Sequence, residues 1–490
     1  MTQEQPLALG GLIARGVSWV ALGHVVGQLS WFGSLVFVAA LLPPSSFGSV
    51  AIAMVMVQVA WLIVGSGTRG SFITSGTPLT RAQVDRAIAL NVGTGLAVGL
   101  AIASLAQPLV SALSPGANVE VMRALALSIC LYGLSIVPLA LLQKAMRFKA
   151  HAGAHAGAAM LASAISVMAA VLGAGVWALV LRQILFHVLL AGFAWAGARH
   201  LLPRRKPGER ALRAARPAGA PWFFALTVIG FLALNVDYVI VGRYTDVGQL
   251  GLYSLAFTIA FAPVTQFAWQ IGKVLLPAAA RTETASVGVL ATKAIQVSTL
   301  LLLPAVPPAI ALAPVVLPSL LGPEWTPMVL PFQVLLVAGV AQAVLAILRE
   351  FLLGSGSVGF CVRIDAIWLL AMVACLLVVV PLGGITGAAF MHLGLLVPLA
   401  MAYGTAGARR MGSSWKRLCR PLLPLLGAVA AEAVLLSVTV LVAASAGASA
   451  DVARVAGASL GVVAVGLVLC KPRFRDSRLL LTRLRPRESA

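Results

Sequence analysis

Asp237 is a carboxylate inside a long apolar run. It lies about two-thirds of the way along residues 220–243, where few other polar side chains occur. An ionisable side chain in the hydrocarbon core costs ~3 kcal/mol or more, so such residues tend to mark ion pathways and other working sites. Asp237 is therefore predicted to take up a proton or a cation, or to switch a contact between two lobes. The alternative is a structural carboxylate capped by a neighbouring backbone group or by Arg243.

Arg69 and Lys273 are cations near the cytoplasmic ends of two other apolar runs, at an offset of 204 residues. Two cations that face one another can hold a diphosphate through charge-assisted hydrogen bonds. The pair is predicted to form a clamp for a diphosphate that enters from the cytoplasm. The alternative is that each side chain extends from its helix end to the lipid headgroups, as long basic side chains commonly do.

Polar and aromatic side chains recur at helical spacing in two of the runs. One set follows an i, i+3, i+4, i+7 pattern and the other an i, i+4, i+7 pattern, so each set occupies one face of a helix. The sets are Gln266, Trp269, Gln270 and Lys273, and His24, Gln28 and Trp31. Amides and indoles suit sugars, and both faces are candidate linings of a substrate cavity. The alternative is hydrogen bonding between membrane helices.

Arg182 lies in a further apolar run, at a depth similar to that of Asp237. An ion pair between lobes at this depth would close the outer side of a transporter, which makes Arg182 a candidate gating residue. The alternative, which the residue type favours, is an arginine whose long stem carries the guanidinium outward to the membrane surface.

The composition requires a membrane around these residues. Of 490 residues, 60% are hydrophobic and only 10% are charged, whereas soluble domains carry about 25% charged residues. A helix crosses the ~30 Å hydrocarbon layer with about 20 apolar residues. Fourteen such runs occur, at residues 14–42, 47–74, 87–113, 121–143, 153–173, 175–199, 220–243, 251–276, 293–320, 329–353, 364–381, 384–405, 421–445 and 452–471. The sequence therefore predicts an all-α integral membrane protein with about fourteen transmembrane helices.

The basic residues orient these runs. With the N-terminus inside, 31 of the 35 Lys and Arg residues fall in cytoplasmic connections, as the positive-inside rule requires. Both termini are therefore predicted to be cytoplasmic. The net charge of +21 then lies beside anionic lipid rather than on a nucleic-acid-binding face. Two surface charge pairs are also expected, Arg349 with Glu350 and Arg363 with Asp365.

A faint internal repeat divides the chain. Residues 47–53 resemble 250–256 at an offset of 203, and weaker matches follow at offsets of 206 and 209. Secondary transporters use such repeats to build a substrate site between two lobes. We expect two six-helix lobes related by a pseudo-two-fold axis, plus two C-terminal helices. The predicted parts are an N-lobe (1–199), a basic cytoplasmic linker (200–219), a C-lobe (220–405), accessory helices (406–471) and a basic cytoplasmic tail (472–490).

Sequence signatures of catalysis are missing. The chain has no G-x-x-x-x-G-K-[ST] loop for nucleotide phosphates and no H-E-x-x-H zinc motif. Its five cysteines lack metal-ligand spacing. The predicted outer connections are also short, whereas a membrane polymerase or ligase needs a sizeable catalytic loop. We therefore expect no enzyme activity, no cofactor and no metal.

Six short segments carry a family resemblance. They are residues 15–19, 42–48, 142–149, 173–179, 237–243 and 250–256. Together they resemble the polysaccharide-transport proteins of the multidrug/oligosaccharidyl-lipid/polysaccharide exporter superfamily, and the resemblance covers most of residues 11–400. Carried over to matching positions, Asp237, Gly242, Gly251 and Tyr253 belong to the family pattern.

The resemblance implies an inner-membrane flippase for undecaprenyl-diphosphate-linked oligosaccharides, used in exopolysaccharide or lipopolysaccharide export. It implies alternating access coupled to a proton or sodium gradient, with a cavity lined by the first, second, seventh and eighth apolar runs. It also implies a polysaccharide polymerase and export machinery as partners. One alternative is a drug/cation antiporter of the same superfamily, which the cationic entrance and the fourteen runs disfavour. A membrane polymerase or ligase and a non-transporting scaffold are the others.

Overall fold

The structure, a computed structural model, is built from long α-helices. It describes residues 4–65, 72, 79–204, 220–262, 284–407, 409, 423–445, 454 and 457, and the described part contains no β-strand. A helix satisfies its backbone hydrogen bonds within one segment, which the hydrocarbon core demands because it supplies no water. By contact, the chain divides into two compact units, residues 1–220 with 238–251, and residues 221–237 with 252–490. The lobe boundaries expected from the sequence stay predictions.

The first unit contains seven helices in the described part of residues 4–204. They are α1 (Glu4–Ala39), α2 (Pro44–Gly65), α3 (Arg81–Ser104), α4 (Ala106–Leu113), α5 (Val119–Lys144), α6 (Phe148–Val171) and α7 (Trp177–Ala198). Local signals set their starts. Thr80 and Gln83 form a capping box at α3, since each side chain bonds the other's backbone N–H at 3.2 and 2.9 Å.

Small residues let helices of the first unit pack closely. A Cβ added to Gly23 of α1 would lie 2.8 Å from the Cβ of Ala152 on α6. A Cβ added to Gly133 of α5 would lie 2.5 Å from the carbonyl oxygen of Asn91 on α3. Small residues at such crossings allow backbones to approach, which is how membrane helices gain van der Waals contact without a hydrophobic driving force.

Three helices follow between residues 220 and 260, namely α8 (Ala220–Ala233), α9 (Val236–Tyr244) and α10 (Val247–Ala260). The interruption between α8 and α9 falls at Leu234 and Asn235, whose backbone N–H groups donate to Phe231 and Leu232 at 3.2 and 3.1 Å. These bonds span three residues rather than four, so the helix tightens locally between α8 and α9, which together form one apolar span, Phe224–Tyr244. The side chain of Asn235 donates to Phe231 O at 2.9 Å and supports the break.

The remaining described helices belong to the second unit. They are α11 (Thr284–Leu302), α12 (Val306–Leu321), α13 (Val329–Gly354), α14 (Val358–Met401) and α15 (Leu423–Ser445). Within α14, Gly384 leaves the helical conformation with φ 54° and ψ −142°. This positive φ favours glycine, and it separates two helical segments that the sequence predicts as two successive spans.

Ten helices in the described ranges are long and apolar enough to cross a membrane. One of them, residues 358–405, contains the bend at Gly384 and covers two predicted spans. Two shorter apolar helices, Val247–Ala260 and Leu426–Thr439, coincide with two more. The last predicted span, 452–471, lies outside the described residues apart from Arg454 and Gly457. The chain is a multi-pass membrane protein, and the count of fourteen stays a prediction.

Candidate functional site

Asp237 lies in a buried cluster with a tyrosine and a histidine of the second unit. Tyr253 Oη on α10 donates to Asp237 Oδ2 at 2.7 Å. His392 Nε2 on α14 lies 3.1 Å from Tyr253 Oη and 3.4 Å from Asp237 Oδ2. The exposed fractions of the three residues are 0%, 0% and 5%. Three titratable groups therefore share hydrogen bonds away from solvent, which strengthens their mutual electrostatics.

The break in the helix positions Asp237. Because α9 begins at Val236, the carboxylate belongs to its first turn, where the helix dipole favours negative charge. Interrupted membrane helices commonly form ion and substrate sites for this reason. The sequence predicted a buried carboxylate here, but it predicted neither Tyr253 nor His392 as its partner.

Sequence reasoning missed His392, although a signal was present. His392 is an ionisable residue within the predicted span 384–405, and this criterion is the one that selected Asp237. Its ring lies among aromatic rings, with centroid distances of 5.6 Å to Phe257 and 5.7 Å to Phe261. Phe257 and Phe261 stack on each other with ring centroids 4.1 Å apart, so the imidazole packs against apolar aromatic rings.

A small cavity adjoins His392 in the second unit. It is lined by Ala233, Leu234, Phe261, Ala338, Gln342, Trp368, His392 and Leu396. Trp368 Nε1 is buried and has no hydrogen-bond partner in the described part of the chain. The cavity therefore combines an apolar lining with an amide, an indole N–H and the imidazole, which are groups that can bind a water molecule.

Arg182 is placed inward on α7, with an exposed fraction of 8%. Its Nη1 lies 3.4 Å from Ser34 Oγ of α1, and its guanidinium carbon lies 5.0 Å from the ring centroid of Trp31. No carboxylate of the described segments forms an ion pair with it. The side chain is thus turned toward α1 instead of outward to the membrane surface, because a cation–π contact and a hydroxyl partner are available there.

The three predicted polar residues of α1 are half-buried. They are His24, Gln28 and Trp31. Trp31 packs edge to face on Phe32 at 5.1 Å and also lies beneath Arg182. The other predicted substrate residues, Arg69, Gln266, Trp269, Gln270 and Lys273, lie outside the described residues.

A second aromatic cluster of the first unit was not predicted from the sequence. His187 of α7 is buried, and its ring centroid lies 5.1 Å from that of Trp61 on α2 and 5.9 Å from that of Tyr132 on α5. Trp61 and Tyr132 remain half-buried, so part of each side chain stays accessible. Flat apolar faces next to polar atoms are what sugars require.

The starts of α2 and α10 contact each other through two glycines. A Cβ on Gly251 would lie 1.7 Å from the carbonyl oxygen of Pro44, and a Cβ on Gly48 would lie 1.9 Å from that of Val247. The contacts are reciprocal, because an offset of 203 residues converts Pro44 and Gly48 into Val247 and Gly251. Repeat-related residues therefore contact each other's copies, as they do across a local two-fold axis.

Of the two charge pairs expected near the end of α13, Arg349 with Glu350 is present, whereas Arg363 with Asp365 is not. Arg349 Nε donates to Asp365 Oδ2 at 2.7 Å, while Arg349 Nη1 lies 3.9 Å from Glu350 Oε1. Arg363 instead donates to the carbonyl oxygen of Gly359 at 3.1 Å. Tyr403 also donates to Asp365. The predicted pair of Arg363 with Asp365 is therefore replaced by Arg349 with Asp365, since residues 349 and 365 face each other across the turn between α13 and α14.

Comparison with known sequences gives a family and two relatives. Residues 37–330 match the family described as polysaccharide biosynthesis protein. The chain is 24% identical over 251 residues to the succinoglycan biosynthesis transport protein ExoT of Rhizobium meliloti (strain 1021), covering 51% of this chain and 50% of that protein. It is 21% identical over 336 residues to the lipopolysaccharide biosynthesis protein WzxC of Escherichia coli (strain K12), covering 67% of each.

A solved structure shares the fold. The chain superposes on the lipid II flippase MurJ in an inward closed conformation with a TM-score of 0.68 and 10% sequence identity, covering 93% of this chain and 99% of that one. The all-α membrane fold predicted from the sequence is confirmed, as is the predicted family resemblance. The match to ExoT spans half the length of that relative.

Proposed function

The chain belongs to the polysaccharide biosynthesis protein family, and from this membership we propose that it is a flippase for undecaprenyl-diphosphate-linked oligosaccharide. It moves the lipid-linked glycan from the cytoplasmic to the periplasmic leaflet of the inner membrane, with both of its own termini in the cytoplasm. Each sugar hydroxyl left unpaired in hydrocarbon costs a few kcal/mol, so a glycan does not cross unaided. The names of both relatives and the fold of a lipid II flippase support the proposal.

The reciprocal contact of Gly48 and Gly251 is the observation that carries the transport mechanism. In alternating access, repeat-related helices close one side of the substrate path and then separate. The close backbone approach of α2 and α10 is suited to the closed state of the outer side, because glycines let the helix starts meet without interlocking side chains. Arg182, which faces α1, is proposed to steady the same state through Trp31.

Ion coupling through Asp237 supplies the driving force in this proposal. One elementary charge that crosses a membrane potential of 100 mV gains ~2.3 kcal/mol, enough to bias the return of an empty transporter. The complete burial of Asp237 supports a role as an ion site, since binding of a proton or sodium ion would neutralise the carboxylate.

The substrate path is proposed to use aromatic and cationic groups in succession. Trp61, Tyr132 and the polar face of α1 offer surfaces for sugar rings. Arg69 and Lys273 remain the proposed clamp for the diphosphate.

Replacing both Arg69 and Lys273 with alanine is expected to reduce glycan export about tenfold or more, because each charge-assisted hydrogen bond to phosphate contributes ~1.5–3 kcal/mol. The measurement is polysaccharide released by a deletion strain that carries the variant. Arg86→Ala removes an exposed arginine of α3 and serves as the matched control. Export by the double variant at the level of Arg86→Ala would refute the clamp.

Deleting the gene tests the function as a whole. A flippase predicts that lipid-linked oligosaccharide accumulates on the cytoplasmic face of the inner membrane. A polymerase or ligase predicts unpolymerised or unattached glycan on the periplasmic face, and a drug/cation antiporter predicts no glycan phenotype but lower tolerance of cationic drugs. Periplasmic accumulation or an unchanged glycan would overturn the proposal.

A further inference from the structure

We propose that Asp237, Tyr253 and His392 form a proton-binding site, so that the ion coupled to glycan transport is the proton. That the proton drives transport rests on the proposed function, whereas the proton-binding site does not. The site itself rests on three buried side chains, two hydrogen-bond distances and an adjoining cavity, all within the second unit.

The hydrogen count assigns the donors. Tyr253 has one phenolic proton, which it donates to Asp237 Oδ2 at 2.7 Å. The oxygen of Tyr253 can then only accept from His392 Nε2 at 3.1 Å, so Nε2 carries a proton and Nδ1 is the ring nitrogen that can gain or lose one. The cluster is therefore a chain of donors, from imidazole to phenol to carboxylate, and Nδ1 at its imidazole end is the position proposed to take the proton.

Protonation of that position removes a buried net charge. With neutral His392 the cluster carries the single negative charge of Asp237, and with protonated His392 it becomes an ion pair whose atoms lie 3.4 Å apart. In the described part of the chain, the ring and its cavity are bordered from α8, α10, α13 and both segments of α14 by Phe257, Phe261, Gln342, Trp368 and aliphatic side chains, none of which titrates. A buried net charge is costly, whereas a hydrogen-bonded ion pair is less so.

The same donors make the cluster unsuited to sodium. Hard cations such as Ca²⁺ and Mg²⁺ are bound by several oxygen ligands, and we extend that preference to Na⁺. Around Asp237 Oδ2 the structure instead provides an O–H donor at 2.7 Å and an imidazole N–H donor at 3.4 Å. Both hydrogens occupy the approach to the oxygen that a cation would use. A proton needs no such shell, because one imidazole nitrogen suffices.

The cavity beside His392 offers the proton a route. Gln342 and Trp368 line it together with the imidazole, and the indole N–H of Trp368 has no partner in the part of the chain that the structure describes. A water molecule held there can pass a proton to His392.

Helix α10 links the proton site to the glycine contact. Tyr253 comes two residues after Gly251 on that helix, and Gly251 is the residue whose Cα approaches Pro44. Through this helix, loading and release of the proton are proposed to bias the meeting of α2 and α10.

Infrared difference spectroscopy on the full-length protein in phospholipid vesicles tests the site without any glycan. A step from alkaline to acidic buffer is expected to give imidazole protonation bands. The component that disappears in His392→Gln is expected to shift in Asp237→Asn and to stay unchanged in His200→Gln, which removes an exposed histidine. A sodium step at constant pH is expected to leave the carboxylate bands unchanged. If His392→Gln does not fold, Asp237→Asn decides, because the histidine band should shift when its counter-charge is removed.

Two spectroscopic outcomes would overturn the inference. One is an unchanged acid-step spectrum in His392→Gln or Asp237→Asn, and the other is a sodium-dependent carboxylate band that Asp237→Asn abolishes.

Transport is measured in a separate experiment, with a fluorescent undecaprenyl-diphosphate-linked disaccharide in vesicles. The charge of one proton per cycle multiplies the accumulation at 100 mV by roughly 50. This factor is expected to be lost in His392→Gln, and accumulation driven by a sodium gradient would overturn the proton. If the wild type moves no probe at all, the proposed function fails, whereas the spectra still decide the proton site.

Discussion

Gly251→Ala is expected to abolish most glycan export, whereas Gly230→Ala leaves export unchanged. A Cβ at residue 251 would lie 1.7 Å from the oxygen and 2.6 Å from the carbon of the Pro44 carbonyl. Both atoms belong to backbone, so no side-chain rotation relieves the overlap. Overpacking costs ~1–3 kcal/mol, which shifts the population of the closed contact about 5- to 150-fold. Gly230 is a matched control because a Cβ there meets no atom within 4 Å.

The measurement is polysaccharide export in a deletion strain, with protein abundance in the membrane followed by immunoblot. Gly48→Ala should give the same loss of export, since its Cβ would lie 1.9 Å from the carbonyl oxygen of Val247, the repeat-related contact. The double variant should be little worse than either single variant, because both separate the same pair of helices. Full export by abundant Gly251→Ala protein would mean that α2 and α10 need not meet during transport.

Asp365→Ala is expected to cause the largest loss of stability. The carboxylate is 9% exposed, accepts from Arg349 Nε at 2.7 Å and accepts from Tyr403. Its removal leaves Arg349 without this partner in a largely buried position, and breaking a buried ion pair in this way typically costs ~3–5 kcal/mol. The melting temperature of the purified protein in detergent measures the effect.

Asp85→Ala provides the control for this experiment. Arg81 and Asp85 form an i, i+4 pair at 2.9 Å with side-chain exposures of 30% and 40%, and exposed pairs contribute ~0.2–1 kcal/mol. Tyr403→Phe should fall between the two, since it removes one hydrogen bond and keeps the ion pair. Equal melting temperatures for Asp365→Ala and Asp85→Ala would contradict the structural role of the Arg349–Asp365 pair.

The fold was largely predictable because membrane helices are encoded by length and hydropathy. Even the bend at Gly384 coincides with a predicted boundary between spans, because a Pro381-to-Gly384 sequence interrupts an otherwise continuous apolar run. The break before Asp237 was not predicted. It depends on two backbone bonds and one amide side chain at Asn235, and nothing in the apolar pattern marks them.

The sequence predicted that Asp237 and Arg182 are functional candidates, but it did not predict which residues they contact. Burial of Asp237 follows from its position in a span, but its contact with His392 joins residues 155 positions apart. Hydrophobic periodicity predicts contacts within one helix, and it does not predict a contact between residues so far apart in sequence. Arg182 shows the same limit, because its choice between lipid surface and protein interior depends on Trp31 and Ser34 of another helix. Sequence patterns specify which residues must leave hydrocarbon, and tertiary packing decides where they go.

The self-matching of the two helix starts also bears on descent. When two identical subunits associate about a two-fold axis, each contact occurs twice: residue i of one subunit contacts residue j of the other, and j contacts i. Pro44 with Gly251 and Val247 with Gly48 have this form within one polypeptide. Duplication and fusion of an ancestral homodimer would leave such a trace. In such an ancestor one mutation would alter both halves of the contact at once, whereas in a fused chain the two halves can differ, as proline and valine do at positions 44 and 247.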